Sequence, residues 1–248
     1  MQVVLVSPRN PLNIGAAARA MANFGFSRLA VVAPYAPNWR EARSAVGAPE
    51  LLRNASEYVT LAEAVAGCAL VIGTGTVTHR KPEQPVVKLP VLAPEISRCL
   101  GRGGDVALVF GPEKRGLTRD DLSYCHLLVE IPTTPEQPSM NLGQAVAVCL
   151  YELATRAIET ETAAAAGETA AGRSGEAAPQ ENLATSATLD LLAGVIDQVM
   201  TAADYSPPEM RAANRHDLRL LLRRLTLTER DGRRILRLFR RVLWRLRR

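Results

Sequence analysis

The sequence predicts an α/β domain built on a parallel sheet, followed by a small all-helical unit. Three observations carry this expectation. Short apolar, β-branched runs alternate with helix-like segments as far as residue 153, as strands buried on both faces do. Three of these runs end in Gly- or Pro-rich loops, at 73–76, 111–116 and 132–140, and loops at the carboxyl ends of such strands are where ligands sit. Beyond residue 183 the apolar positions take a helical period.

The elements follow in order. Val3–Val6 is a short apolar run stopped by Ser7-Pro8 and reads as a buried strand. Asn13 to Phe24 reads as a helix, with Ile14, Ala17, Ala18, Met21 and Ala22 on one face, Asn13 as its cap and Gly25 as its end. Leu29–Val32 is the next strand. Residues 34–56 are irregular apart from one helix around Glu41–Val46. A short helix, Leu61–Ala66, precedes the strand Ala69–Ile72 and the turn-rich Gly73-Thr74-Gly75-Thr76. Residues 77–90 form an extended polar excursion, and Pro94–Leu100 is helical. The strands Val106–Phe110 and 126–131 lead to a strongly apolar helix, Leu142–Leu153. The helix start offers unpaired N–H groups, with Ser139 or Asn141 as its cap. The prolines at 132, 135 and 138 stiffen the loop before it.

Three units result: a domain over 1–158, a linker over 159–182 and a basic helical unit over 183–248. The linker is Ala, Glu, Thr and Gly with almost no large apolar residue, too little to offset the entropy of ordering. The alternative is that its Ala-rich part prolongs the preceding helix. In the last unit Pro207-Pro208 break the chain. Leu218, Leu221, Leu222 and Leu225 form one helical face, and Thr228 with Asp231 resembles a capping box. The last helix carries Ile235, Leu238, Phe239, Val242 and Leu246 along one side. Arg233, Arg237, Arg240, Arg241 and Arg245 lie along the other.

Charge is divided unevenly along the chain. Residues 211–248 hold 14 Arg and three acids, a net of +11, whereas the other 210 residues carry a net of −6. No acid follows Gly232. A merely solvated helix face would mix both signs, so the pattern points to nucleic acid, with Arg237 and Arg241 as contact residues. With 47% hydrophobic residues the chain can build a sizeable core, yet no run of about 18 apolar residues exists. The N-terminus lacks the charged region and cleavage site of a signal peptide, so a cytoplasmic protein is expected. Cysteines 68, 99, 125 and 149 are scattered without CxxC spacing and predict buried free thiols and no metal site. There is no Walker A pattern and no full G-x-G-x-x-G after a strand.

Three motifs bring a family resemblance. The first is Asn13-Ile-Gly15-Ala-Ala-Ala18-Arg19 with Asn23-Phe24-Gly25. The second is Val109-Phe110-Gly111-Pro112-Glu113, closed by Gly116-Leu117. The third is Ile131-Pro132 with Ser139-Met140-Asn141-Leu142 and Gln144-Ala145. Each alone is weak, but in this order they resemble the SpoU/TrmH class of the SPOUT superfamily of RNA methyltransferases. The appended helical unit, with His216-Asp217-Leu218-Arg219 through Arg224, resembles the TrmJ-like branch.

The resemblance implies a parallel sheet closed by a C-terminal deep trefoil knot, which no periodicity could suggest. It implies S-adenosylmethionine in that knot, against Thr74, Gly75, Thr76, Gly111, Ile131, Pro138, Ser139 and Met140. Glycines at 73, 75 and 111 then permit close backbone approach. The reaction implied is methyl transfer to a ribose 2′-hydroxyl, most readily of tRNA in the anticodon loop at nucleotide 32. Ribosomal RNA as substrate, or an RNA-binding protein without activity, are the alternatives. Arg19 is the implied catalytic residue. Arginine stays protonated below about pH 12, so its fitting role is to hold a phosphate and stabilise the developing alkoxide. Asn13 and Glu113 are expected to order the loops, and Ser139 and Asn141 to position the ribose or the loop. Arg80 is a further expected RNA contact, while the neighbouring His79 has no assigned role. The family's members are generally homodimers, and the apolar helix after Leu142 is a candidate interface.

Overall fold

The computed structural model describes residues 1–75, 82–167 and 181–248. Thr76, His79 and Arg80 therefore lie outside the described residues. Seven strands form one sheet: β1 Gln2–Val6, β2 Leu29–Val32, β3 Ser56–Tyr58, β4 Cys68–Thr74, β5 Val86–Lys88, β6 Asp105–Phe110 and β7 Leu127–Glu130. Their order is β3-β2-β1-β6-β4-β7-β5, and every pairing is parallel. Alternate residues of each strand feed opposite cores. Val3, Leu5, Val106 and Leu108 join one apolar cluster, whereas Val4, Val6, Ala107 and Val109 join the other. This two-sided burial explains why the strands read as continuous apolar runs.

Helices cover both faces. On the first lie α1 Pro11–Asn23, α4 Ala93–Gly101 and the long α6 Leu142–Gly167. The short α2 Pro49–Arg53 precedes β3, and α3 Leu61–Val65 and the four-residue α5 Arg119–Leu122 flank the second face. Ala16 of α1 and Gly143 of α6 are in such close contact that a Cβ on Gly143 would sit 2.6 Å from the Ala16 Cβ. The first and third sequence motifs thus touch through their helices. Gly25 ends α1 as expected, at φ +78°, and Phe26 N–H donates to the Met21 carbonyl at 2.8 Å, a glycine-dependent stop.

Four sequence expectations need correction. Helix α1 starts two residues before Asn13: Asn10 is the cap, accepting from Leu12 N–H, and Pro11 opens the helix. No α-helix forms over 41–46. A 3-10 turn at Trp39–Glu41 is followed by an extended Ala42, because the next residues lie flat on α1. Ser44 Oγ donates to Leu12 O at 2.6 Å, and a Cβ at Gly15 would meet that Oγ at 2.2 Å. Within the stretch read as a polar excursion, Val86–Lys88 forms the edge strand β5 on β7. Finally, α6 runs on to Gly167, so the Ala-rich start of the 159–182 segment continues the helix.

The C-terminal unit is α7 Ser186–Ala202, α8 Arg211–Arg224 and α9 Glu229–Leu246, packed around Leu192, Val195, Leu222 and Leu236. Thr228 caps α9, its side chain accepting from Asp231 N–H at 3.1 Å. The unit docks on the second face of the sheet domain. Ala187 N–H donates to Ala66 O at 2.9 Å, and Ser186 Oγ to Cys68 O at 3.0 Å. Arg223, 1% exposed, pairs with Asp190 at 2.7 Å, and with Arg219 it lies over the Tyr124 ring. Beneath this clasp His126 accepts from Val71 N–H through Nδ1 at 3.0 Å. Burial, aided by the Arg223 charge, pushes the imidazole pKa down from 6.5 to about 3.

Candidate active site

Strands β4, β6 and β7 are neighbours, and being parallel they deliver their following loops to one edge of the sheet. A cavity of about 240 Å³ opens there. Its lining includes Thr74, Gly75, Gly111, Ile131, Pro138, Ser139 and Met140, the described residues that the sequence assigned to cofactor binding. Phe110 and Leu142 add apolar wall, and Lys114 and Arg115 add charge at its rim. Phe110 and Leu142 stand within the motifs quoted from the sequence, whereas Lys114 and Arg115 were not singled out there. The two cations stand inside the 111–116 loop, so following that loop to its end was the available signal.

A chain of hydrogen bonds ties the three motifs together beside this cavity. The Glu113 carboxylate accepts from Arg9 N–H at 3.1 Å, Asn10 N–H at 3.2 Å and the Asn13 amide at 2.8 Å. Asn141 Nδ2 donates to Asn13 Oδ1 at 2.9 Å. The same Asn141 caps α6, its Oδ1 accepting from Gly143 N–H at 2.9 Å. Of the two candidate caps, Asn141 therefore takes that role, and Ser139 stands exposed on the cavity wall. Burial works to raise the Glu113 pKa, but the donors from Asn13 and the backbone of Glu113, Arg9 and Asn10 outweigh it. The carboxyl is held below its ordinary 4.5 and stays ionised.

The three loop glycines differ in what they permit. A Cβ on Gly111 would lie 2.2 Å from Leu117 N and 2.3 Å from Gly116 C, so the loop folds back on its own backbone. A Cβ on Gly73 would meet Cys125 Sγ at 2.8 Å. At both positions the close approach is made by the protein itself. Of the three, only Gly75 meets nothing within 4 Å among the described residues. Thr74 closes the pocket floor, its hydroxyl donating to Val109 O at 3.0 Å. Thr133 pins the proline loop by donating to Pro138 O at 3.3 Å.

Arg19 is exposed on α1 and is not among the residues lining the cavity. Asn13 and Asn141 do not line it either, but stand behind Glu113, Asn13 one hydrogen bond away and Asn141 two. Arg237 lines a separate basic surface on α9 with Arg230, Arg233 and Arg234, and the Arg241 guanidinium stacks on Trp244 at 4.2 Å. The four cysteines are buried and free, and burial pushes Cys125 and Cys149 up to about 12. Among the described residues no group of three His, Cys, Asp or Glu is placed to hold a metal ion, and no helix is long and apolar enough to cross a membrane.

Known proteins share this arrangement. The sequence profile of the SpoU rRNA Methylase family matches residues 1–151. The chain is 42% identical over 154 residues to the tRNA (cytidine/uridine/adenosine-2′-O-)-methyltransferase TrmJ of Pseudomonas aeruginosa (strain UCBPP-PA14). It is 37% identical over 163 residues to the tRNA (cytidine-2′-O-)-methyltransferase TrmJ of Methanocaldococcus jannaschii. These matches cover 62% and 65% of the chain, and 60% and 70% of the two relatives' own lengths. The crystal structure of TrmJ from Z. mobilis ZM4 aligns over 100% of this chain and 99% of that one, with a TM-score of 0.79 and 30% identity. With the profile spanning the whole strand-bearing part of the fold, the chain belongs to the SpoU rRNA methylase family.

Proposed function

We propose that this protein is an S-adenosylmethionine-dependent RNA methyltransferase acting on a ribose 2′-hydroxyl of tRNA, as the names of its TrmJ relatives indicate for those enzymes. The observation that carries this reading is the convergence of Thr74, Gly75, Gly111, Ile131, Pro138, Ser139 and Met140 on one cavity, braced by the Glu113–Asn13–Asn141 chain. The finer assignment is the anticodon loop at nucleotide 32, in a cytoplasmic homodimer.

The residues present fit the cofactor. Gly75 leaves its backbone edge open, and Ile131, Met140 and Phe110 supply apolar wall for an adenine. Lys114 and Arg115 at the rim suit a carboxylate. Bound there, S-adenosylmethionine would supply an electrophilic methyl group. The protein's own task is then to hold the loops still and bring the hydroxyl in. Glu113 and Asn13 keep the loops in register, and Ser139 faces the cavity where a ribose would stand. Arg19 lies away from the cavity in its own subunit, so its role is on the RNA side. As a fixed cation it holds a phosphate and stabilises charge building on the 2′-oxygen. The family's trefoil knot fits the strand order, in which β7 is inserted between β4 and β5. The arginines of α9, Arg237 and Arg241 among them, supply further phosphate contacts.

Isothermal titration with S-adenosylmethionine and with ATP tests the cofactor, binding of the first alone being expected. Mapping 2′-O-methyl groups in RNA from a deletion strain tests the target. Loss of a mark on ribosomal RNA instead of tRNA would overturn the substrate. Single-turnover methylation by Arg19→Ala at the wild-type rate would overturn the catalytic assignment. A single-subunit mass by sedimentation at micromolar concentration would overturn the dimer.

A further inference from the structure

A second cavity, of about 520 Å³, lies at the junction between the sheet domain and the C-terminal helices. It shares Arg115 with the candidate active site, so the two are adjoining. Its floor is apolar, formed by Leu117, Leu122 and Leu220, and Arg115, Arg119, His216 and one exposed carboxylate, Glu83, stand around it. The loop beside it is fastened, Gln84 Nε2 donating to Leu122 O at 2.6 Å. The volume falls within the roughly 300–1,000 Å³ range of ligand pockets.

The charges around this cleft are sorted in a particular way. The stretch 113–121 carries three acids and three cations, and each of the acids has a partner within the fold, although Asp120 stays exposed. Glu113 is taken by the backbone of Arg9 and Asn10 and by Asn13. Asp120 is paired with Arg219 at 3.0 Å, and Asp121 accepts from Thr118 N–H at 2.8 Å. Lys114, Arg115 and Arg119 are exposed. Arg119 gives its Nε–H to His216 Nε2 at 3.2 Å, and among the described residues its terminal N–H fork has no partner. The bond requires His216 to be unprotonated at Nε2 and aims the guanidinium from across the domain junction. A forked, pre-aimed guanidinium over an apolar ledge suits a phosphodiester with its sugar.

We propose that this cleft is a phosphate-binding subsite for the RNA strand leaving the candidate active site, with Arg119 as the contact and His216 as its positioning residue. The subsite rests on the functional reading above, and it exists only while the C-terminal helices are docked, because His216 and Leu220 belong to α8. It accounts for a helical unit seated on α5 as well as carrying a basic face.

The test is equilibrium binding of unmodified tRNA across a salt series, for the wild type, Arg119→Gln and His216→Ala, with S-adenosylmethionine affinity measured alongside. Loss of one phosphate contact lowers the slope of log K against log salt by about 0.7–0.9, with affinity weakened uniformly across RNA sequences. Arg119→Gln is expected to show that lower slope and about tenfold weaker binding, while cofactor affinity holds within about twofold. His216→Ala, which keeps the charge, is expected to retain the wild-type slope. A wild-type slope and affinity in Arg119→Gln would overturn the proposal. So would equal losses in both variants, since Arg119 would then serve docking alone. Failure of the wild type to bind S-adenosylmethionine would overturn the functional reading, and the salt slopes would still decide the cleft.

Discussion

Glu113 and Arg223 are both charges drawn into the fold, and they are held in opposite ways. Glu113 sits at the strand ends and accepts from the backbone of Arg9 and Asn10 and from Asn13, so one small anion gathers separate loops. Its donors come from segments about a hundred residues away in sequence and lock without closing over it. Arg223 sits at the domain junction, 1% exposed, facing one carboxylate, one aromatic ring and the Arg219 carbonyl, and its Nε finds no partner among the described residues. A small anion surrounded by N–H groups is satisfied where it stands and can order a site that must stay open. A large cation with an orphaned N–H is tolerated only because the surfaces around it are pressed together. The first arrangement orders loops beside an open cavity and the second joins two packed units.

The largest break in this contrast should come at Gly111. Gly111→Ala forces a Cβ into the Gly116–Leu117 backbone, which cannot swing aside, and should cost about 4 kcal/mol or abolish folding. Gly75→Ala, facing open space, should change stability by less than about 1 kcal/mol while weakening cofactor binding. Urea unfolding of the two variants side by side measures both. If they lose equal stability, the loop is not held by backbone packing.

Arg223→Met comes next. Removing one partner of a buried pair costs about 3–5 kcal/mol, and because Asp190 keeps 27% exposure a loss of about 2–3 is expected. Thermal unfolding reads it, and cofactor affinity should stay at the wild-type value. A matching fall in cofactor affinity would erase the distinction between site and junction.

Glu113→Gln should cost about 1–2 kcal/mol at neutral pH, since an amide oxygen replaces a carboxylate before the same N–H donors. The folded pKa of Glu113 lies below 4.5, so its contribution is complete above that pH and is lost as pH falls through the folded value. The stability gap between wild type and variant should therefore shrink under acid. A gap that is constant from pH 7 to pH 3 would assign the effect to shape alone.

The junction should respond to acid earlier than the site. His126 is neutral in the fold, its pKa pushed down to about 3, while in the unfolded chain it protonates near 6.5. Its contribution is complete above about pH 6.5 and declines as pH falls toward 3, by at most about 1.4 kcal/mol per pH unit. A pH series of unfolding free energies shows this as a loss that begins before carboxylates titrate. The smallest effect is reserved for the exposed α9 pair Arg233–Glu229. Arg233→Ala should shift stability by only about 0.3–0.5 kcal/mol while lowering the salt dependence of RNA binding.

Much of the sheet was legible because burial on both faces leaves continuous apolar runs. Val3–Val6, Leu29–Val32 and Val106–Phe110 all lie within β1, β2 and β6. The edge strands β3 and β5 were not legible. Each has three residues and carries little burial, Ser56–Tyr58 and Val86–Lys88 being half-buried or exposed, so no pattern marks them off from loop. That the loops at 73–75, 111–116 and 131–140 gather at one cavity was legible because they follow neighbouring parallel strands. Lys114 and Arg115 were passed over because a charge in a loop carries no period. The helix expected over 41–46 failed because Gly15 draws that segment flat against α1, a contact invisible to local propensity.

The sequence by itself determined the strands, the amphipathic helices, the division of charge between the two ends and the three loops at which a ligand would sit. These are local properties, written in apolar period, in glycine and proline positions and in net charge. Only the tertiary structure decided that Asn13 bonds Glu113, that Asn141 bonds Asn13 while capping α6, and that Arg119 reaches across to His216. Those pairings join residues 100, 128 and 97 positions apart. Such partners are chosen by strand order and helix docking, which become defined only once the whole core has packed.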